Sequence, residues 1–368
     1  MRIAVLSSHT PSLFWFRIDM MLSFQRCGYE VVALGNEAEE IWKEKFLEKG
    51  IRYIQVDIQR NATNPLKDLG VIKSLRKVLK EVKPDKIFAF QAKTVIYGSI
   101  AARTLGITEV YPLIAGLGSV FLKDGLKSKL LQWVLKAEYR VALNGAKKVF
   151  FQNPDDVEFY VSNKIVSKEK IVMINGSGVN LKNFLVSPLP AEPAFLCIGR
   201  LIRDKGIVEY LEAAKNVKKI YPDIRFILVG PYDTNPSAIK KEELKSYIDD
   251  GVVEYFGEQS DVRPFIDQCS IFVLPSYREG TPKTVLEAMA CGRAIITSDA
   301  PGCRETVENG VNGYLVPIKD VDSLTEKMIE LISDRECVER MGSNGRRVVE
   351  SKYDVDLVNN VICNAMSL

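Results

Sequence analysis

Pro275-Ser-Tyr-Arg-Glu279-Gly-Thr-Pro-Lys-Thr-Val-Leu-Glu287-Ala-Met-Ala-Cys-Gly292 follows an apolar run over 271–274. That run reads as a strand of a parallel sheet buried on both faces. Thr281 suits a helix N-cap and Pro282 a first helical residue, so the spacing predicts a helix starting there. Gly292 marks its stop. Strand, short loop and helix make half of a βαβ unit, and sheets built from such units take ligands beyond their carboxyl strand ends.

Two carboxylates bracket the helix start. Glu279 lies in the loop, and Glu287, six residues past Thr281, lies about 9 Å down the axis. Between them the helix N-terminus offers N–H groups and a partial positive charge that suit phosphate. A ligand with hydroxyls at both ends and a diphosphate in the middle fits this spacing, as a nucleotide sugar does. Alone, the pair reads more readily as a solvated acidic pair on an ordinary helix, so the surrounding residues decide. The stretch resembles the E-x7-E donor motif of the retaining GT-B glycosyltransferases of family 4, including its Glu279-Gly280-Thr281-Pro282 context. The resemblance implies that Glu279 contacts the donor sugar and Glu287 holds the nucleotide ribose.

At 368 residues the chain exceeds one typical core, and two domains are expected. A composition of 46% apolar and 26% charged residues is that of a water-soluble globular chain. No apolar run approaches the roughly 18 residues of a spanning helix. The N-terminus reads as a first strand rather than a signal peptide, because Ser7, Ser8 and His9 end its apolar run too soon. Seven scattered cysteines without a CxxC pair point to reduced thiols and a cytoplasmic location. With one histidine, His9, a His-based zinc site is not expected, and the metal expectation is none. The charge is uneven. Residues 1–186 carry 28 Lys and Arg against 18 Asp and Glu, whereas 187–368 carry 22 against 29. A basic first half implies an anionic partner, a membrane surface or a nucleic acid; it lacks the aromatic interleaving of single-strand binders, so no nucleic-acid role is expected.

The fold class follows from alternation. Strands are predicted over 3–7, 30–34, 53–56, 86–90, 110–114, 149–152 and 171–174, with amphipathic helices between them, clearest over 66–82 and 94–105. A proline cluster around Pro188 and Pro193 interrupts the pattern and marks the expected linker. The scheme then repeats, with strands over 195–198, 226–229, 253–256, 271–274, 294–297 and 314–316, and helices including 208–220 and 321–333. Two doubly wound α/β domains result. The resemblance implies that these Rossmann-like domains face a central cleft as in GT-B enzymes: 1–186 for the acceptor and membrane, 187–352 for the donor, and a helical tail over 353–368 crossing back to the first.

Gly199-Arg200-Leu201-Ile202-Arg203-Asp204-Lys205-Gly206 follows the first strand of the second half. The glycine lets backbone approach a phosphate, and Arg200 and Lys205 supply the fixed cations that a departing nucleoside diphosphate needs. Alone this is also a basic turn; the match to the family's G-R-[LF]-x-x-x-K-G motif, in register with Glu279 and Glu287, carries the functional reading. Arg200, Lys205 and Glu279 are the expected catalytic set. Gly199, Phe256, Gly280, Thr281, Pro282 and Glu287 complete the expected donor site, with Phe256 a wall of the base pocket. The segment from Asp299 to Glu305 resembles the family's next loop but names no catalytic residue.

In the first half, the segment from Ser7 through Arg17 is expected to be the loop after the first strand. His9 is a versatile proton carrier, though lone loop histidines more often decorate a surface. Phe16-Arg17 resembles a step in transferases acting on polyprenyl-linked glycans. Ala115-Gly116-Leu117-Gly118-Ser119 is not a dinucleotide fingerprint, because Phe121 stands where the third glycine belongs; it resembles the loop of bacterial enzymes that extend undecaprenyl-diphosphate-linked sugars. Other family members carry a histidine there and this chain has none. His9, Phe16, Arg17, Gly116, Gly118 and Ser119 are the acceptor-side candidates. The following segment, with Lys123, Lys127, Lys129, Trp133, Lys136 and Arg140 beside Leu126 and Leu130, is basic and amphipathic and is expected to meet an anionic membrane, the alternative being a surface helix whose leucines face the core.

The reading is a retaining transfer of a hexose or N-acetylhexosamine, N-acetylgalactosamine in α linkage foremost, from a UDP-sugar to an undecaprenyl-diphosphate-linked saccharide. The resemblance implies no metal cofactor, a location on the inner face of the cytoplasmic membrane, and front-face chemistry, since no nucleophile for double displacement is evident. The alternatives are a sugar-nucleotide 2-epimerase on the same fold and a non-catalytic nucleotide-sugar binder.

Overall fold

A computed structural model describes residues 1–58, 65–122 and 125–368 of the chain. It divides into two compact units: Met1–Ser177 with Val355–Leu368, and Gly178–Asp354.

The first unit is built on a seven-stranded sheet. Its strands are β1 (Arg2–Ser7), β2 (Glu30–Gly35), β3 (Arg52–Gln55), β4 (Lys86–Phe90), β5 (Val110–Ile114), β6 (Val149–Phe151) and β7 (Ile171–Met173), in the order β3-β2-β1-β4-β5-β6-β7. Every neighbouring pair is parallel. The helices are α1 (Thr10–Arg26), α2 (Glu39–Leu47), α3 (Pro65–Val82), α4 (Ser99–Thr104), α5 (Leu126–Asn144) and α6 (Pro154–Ser162). Alternate residues of β1 serve opposite faces. Ala4 and Leu6 join Leu75 and Leu79 of α3 in one core, while Ile3 and Val5 join Leu13, Met20 and Phe24 of α1 in the other. Both faces are covered, so the strands read as unbroken apolar runs.

The second unit holds β8 (Ala194–Ile198), β9 (Arg225–Val229), β10 (Glu254–Tyr255), β11 (Ile271–Leu274), β12 (Ala294–Ser298) and β13 (Gly313–Val316), in the order β10-β9-β8-β11-β12-β13. Its helices are α7 (Ile207–Lys218), α8 (Lys241–Asp249), α9 (Arg263–Ile266), α10 (Lys283–Ala290), α11 (Val321–Ser333) and α12 (Arg335–Val348). The last helix, α13 (Val355–Ala365), belongs to the first unit. Its Val358 and Ile362, with Met366 just beyond it, share a core with Met20, Met21 and Phe24 of α1, and the Lys86 ammonium donates to the Met366 carbonyl at 2.6 Å.

In each sheet the chain leaves the central strand to one side and returns beside it on the other. The reversals fall at β1/β4 and β8/β11, the switch points where open α/β sheets bind ligands.

The expected division at 186/187 lies nine residues late. The proline cluster is not a linker, because two arginines of the second unit hold it. Arg293, fully buried, donates to the Ser187 carbonyl at 2.8 Å and the Pro188 carbonyl at 3.4 Å. Arg335 donates to the carbonyls of Pro190 and Ala191 at 3.1 and 2.9 Å. The helix expected over 94–105 opens as a π-helical turn, Thr94–Gly98, before α4.

Candidate functional site

At the β8/β11 switch point two loops are pressed into one surface. After β8 come Gly199 and Arg200, a short turn Arg203–Lys205, and Gly206 at the head of α7. Gly206 has φ +70, and a Cβ there would collide with the Pro275 carbonyl, so only glycine allows this approach. The loops are also bonded: the Tyr277 N–H and the Ser276 hydroxyl both donate to the Asp204 carbonyl, at 2.9 and 3.1 Å. The consequence is a meeting of side chains 74 residues apart. The Lys205 ammonium donates to Glu279 Oε1 at 2.5 Å, with both side chains largely out of solvent.

A third loop backs the second. The Glu279 N–H donates to the Pro301 carbonyl at 2.9 Å, and Gly302, at φ +83, lies where a Cβ would strike the Glu279 carbonyl. The segment from Asp299 to Glu305 therefore positions Glu279. Arg200 donates through Nη1 to Asp233 Oδ2 at 2.7 Å. Sequence reasoning missed Asp233, whose setting in Pro231-Tyr-Asp-Thr-Asn-Pro236 reads as a turn; its other oxygen does accept from the Asn235 N–H at 2.8 Å. The Tyr277 hydroxyl bond to Glu209 Oε1, 2.6 Å, was equally invisible, since only the fold brings them together.

The helix begins one residue later than the spacing predicts. α10 starts at Lys283, and Pro282 is its N-cap, extended at ψ 105. Proline fixes φ near −65° without requiring a helical ψ, and its carbonyl accepts from the Val285 N–H at 3.1 Å. Thr281 thus precedes the cap residue, and Pro282 itself makes no side-chain capping bond. No acidic residue occupies its first turn, which keeps the N-terminus suited to an anion. Glu287 is buried in the helix, and desolvation pushes its carboxyl up to about 7 against the pull of Lys283, 3.9 Å away one turn earlier. Asp261 adds to the rise, so the loop after β10 brings its charge toward Glu287. In that loop Phe256 is part-exposed and packs on Phe265 with ring centroids 5.1 Å apart. Gly280 is buried, beside the loop carrying Gly302.

The loops ahead of α10 thus carry Lys205 paired with Glu279, and the loop after β8 also carries Arg200 paired with Asp233, so each cation is held by a carboxylate.

In the first unit the expected loop from Ser7 to Arg17 is mostly helix. α1 starts at Thr10 because Pro11 suits its first turn. His9 is the N-cap residue, and its Nδ1 lies 2.7 Å from Ser12 Oγ. Phe16 is half-exposed, but Arg17 is only 4% exposed and points to the Phe90 ring, 5.3 Å from its centroid. Gly116 and Gly118, at φ +139 and +83, lie in the loop after β5, and Ser119 opens a 3-10 turn.

α5 divides the membrane candidates. Lys127 and Lys129 are exposed, as are Leu126 (87%), Leu130 (66%) and Trp133 (68%), so the leucines do not face the core. Lys136 instead donates to Asn163 Oδ1 at 2.8 Å. Arg140 donates to the carbonyls of Asn163 and Lys164, both at 2.9 Å, closing the C-terminus of α6. Lys123 lies outside the described residues. Among the described residues no helix is long and apolar enough to cross a membrane.

Residues 186–348 match the family described as glycosyl transferases group 1, and residues 2–153 the family described as glycosyl transferase 4-like. The N,N'-diacetylbacillosaminyl-diphospho-undecaprenol alpha-1,3-N-acetylgalactosaminyltransferase of Campylobacter jejuni is 32% identical over 97% of this chain and 96% of that protein. The UDP-Gal:alpha-D-GlcNAc-diphosphoundecaprenol alpha-1,3-galactosyltransferase of Escherichia coli is 25% identical, covering 84% of this chain and 82% of that one. Among solved structures, Anabaena HepE in complex with UDP and glucose superposes with a TM-score of 0.80 at 18% identity, over 100% of this chain and 99% of that one.

Proposed function

The chain belongs to the group 1, family 4-like glycosyltransferases, and on that premise we propose a retaining transfer from a UDP-sugar to an undecaprenyl-diphosphate-linked saccharide. The sugar moved is a hexose or N-acetylhexosamine, with N-acetylgalactosamine in α linkage the first candidate. The observation that carries the donor side is the Lys205–Glu279 contact, with Arg200 in the same loop as Lys205 and Glu287 in the helix that follows Glu279. The acceptor follows the relatives, two of which carry a diphospho-undecaprenol acceptor in their names.

In this reading Arg200 and Lys205 hold the diphosphate and stabilise the charge that develops as it leaves. Glu279 orients the sugar, Glu287 binds the ribose hydroxyls, and Phe256 flanks the base. The bond from the anomeric carbon to the phosphate oxygen breaks, and the acceptor oxygen forms its bond on the same face. The leaving phosphate oxygen takes the acceptor's hydroxyl proton, so retention needs no enzymic nucleophile. Gly116, Gly118 and Ser119 belong to the acceptor side, with Phe16 and His9 near the start of α1. The exposed apolar stripe of α5, flanked by Lys127 and Lys129, supports contact with an anionic membrane at its cytoplasmic face.

The test is release of UDP from UDP-N-acetylgalactosamine and other UDP-sugars with and without a short lipid-diphosphate sugar acceptor. Release that requires acceptor supports transfer; release without it points to a 2-epimerase or a hydrolase. Lys205→Ala is expected to lower kcat at least a hundredfold, and normal turnover of that variant sinks the assignment.

A further inference from the structure

The donor reading occupies one of the two topological switch points. The other, β1/β4 in the first unit, carries a charged side chain with no counter-ion among the described residues. Arg17 is 4% exposed, its Nε has no hydrogen-bond partner among the described residues, and its guanidinium lies over the Phe90 ring, 5.3 Å from the centroid. Burial with no neighbouring charge brings its pKa down to about 10, which still leaves it a cation near neutrality. A structural arginine in this fold looks different. Arg293, also buried, donates to the carbonyls of Ile266, Ser187 and Cys291 at 2.9, 2.8 and 3.0 Å and to Ser187 Oγ at 2.6 Å. An aromatic face attracts a guanidinium but does not replace the hydrogen bond that the buried Nε–H lacks.

The surroundings belong to a ligand edge. Phe90 ends β4 and pairs in register with Ser7, the last residue of β1. The next residue, Gln91, is held at φ +73, left-handed backbone that a residue with a side chain adopts at a cost. Its amide oxygen accepts from the hydroxyls of Ser7 and Ser8 at 3.0 and 2.9 Å. Three polar side chains from two strand ends thus converge one residue from the ring that Arg17 covers.

We propose that Arg17 anchors an oxyanion site at the β1/β4 edge of the first unit, with a phosphoryl group as its ligand. Resting on the acceptor reading above, that group is the diphosphate of the lipid-linked saccharide. The planar guanidinium fork matches a phosphoryl group bidentately and supplies the counter-charge missing in the free protein.

The test uses the full chain, saturated with UDP so that the donor site is occupied. Inorganic pyrophosphate is expected to raise the Tm of the wild type and to leave Arg17→Met unchanged. Ligand-free Arg17→Met, which removes an uncompensated charge and keeps the packing on Phe90, is expected to melt several degrees above the wild type. In steady state it raises KM for the lipid-diphosphate acceptor at least tenfold with KM for the UDP-sugar unchanged, and Arg17→Lys recovers part of the loss. A wild type that does not respond to pyrophosphate overturns the site, even if Arg17→Met fails to fold; so does an Arg17→Met that melts lower and responds as the wild type does. A pyrophosphate response lost in Arg17→Met, from a protein that transfers to no lipid-diphosphate acceptor, supports the oxyanion site and removes the acceptor reading alone.

Discussion

Glu287 is the residue where structure and chemistry pull hardest against each other. Its carboxyl is buried with one lysine 3.9 Å away, and desolvation raises it to about 7. A carboxyl raised above its unfolded value near 4.5 binds its proton more tightly folded than unfolded. The stability this gives is fully present below about pH 4.5 and is lost as pH rises through 7. At about 1.4 kcal/mol for each pH unit between the two values, the loss is at most about 3.5 kcal/mol. Glu287→Gln, neutral at every pH, is therefore expected to be about 2–3 kcal/mol more stable than wild type at pH 8 without ligand, and nearly equal at pH 5. Chemical denaturation at both pH values checks it, and an equal effect at the two removes the titration argument. If Glu287 binds the ribose as proposed above, KM for the UDP-sugar rises in the same variant, because the amide is a weaker acceptor than the carboxylate. The sequence shows that Glu287 has the right spacing but not that it is buried, since burial comes from helices packed around α10. Asp233 was hidden for a related reason: its partner Arg200 is 33 residues away, and nothing local marks the pair. Arg17 was legible as a residue type and illegible as a buried one, because a charged side chain normally predicts solvent.

At the scale of elements, the strands were the most legible features. Most are short apolar runs, and β4, β5 and β11 span the expected residues. Helix starts were less so. The α10 cap moved by one residue, and α1 consumed a segment expected to be loop, because proline at the first turn speaks for a helix while the Ser-Ser-His-Thr run before it speaks for a turn. The unit boundary was misread because prolines signal a break only where nothing holds their carbonyls, and here Arg293 and Arg335 do. Two predictions belong to elements. Ile362 on α13 is fully buried against α1, so Ile362→Ala should cost the fold about 2–5 kcal/mol, read by chemical denaturation. By contrast Leu130→Ser with Trp133→Ser on α5 should change stability by less than about 1 kcal/mol, because both side chains are exposed. The same double variant should lose most of its sedimentation with anionic vesicles. If it folds normally and still sediments like wild type, α5 is not the membrane contact.

On the scale of the whole molecule the argument turns on charge. A net +3 conceals a basic first half and an acidic second half. The basic excess is also concentrated. Arg103, Arg140, Lys164, Lys168 and Lys170 line a cavity of about 620 Å³ in the first unit with no acidic residue among its lining. Lys73, Arg76, Lys77 and Lys80 line another of about 450 Å³. Exposed cations near an anionic bilayer contribute about 1 kcal/mol each and act within a Debye length, about 10 Å at 0.1 M salt. The apolar stripe of α5 is insensitive to salt over this range, so the two contributions separate. Binding to vesicles containing anionic phospholipid is expected to weaken at least tenfold between 50 and 300 mM salt and then level off at a remainder that Leu130→Ser with Trp133→Ser abolishes. Vesicles of zwitterionic lipid alone should give only that remainder at every salt concentration. Equal binding to both vesicle types, or affinity flat across the salt series, removes the electrostatic half of the membrane reading and leaves the basic cavities to be explained by a soluble anion.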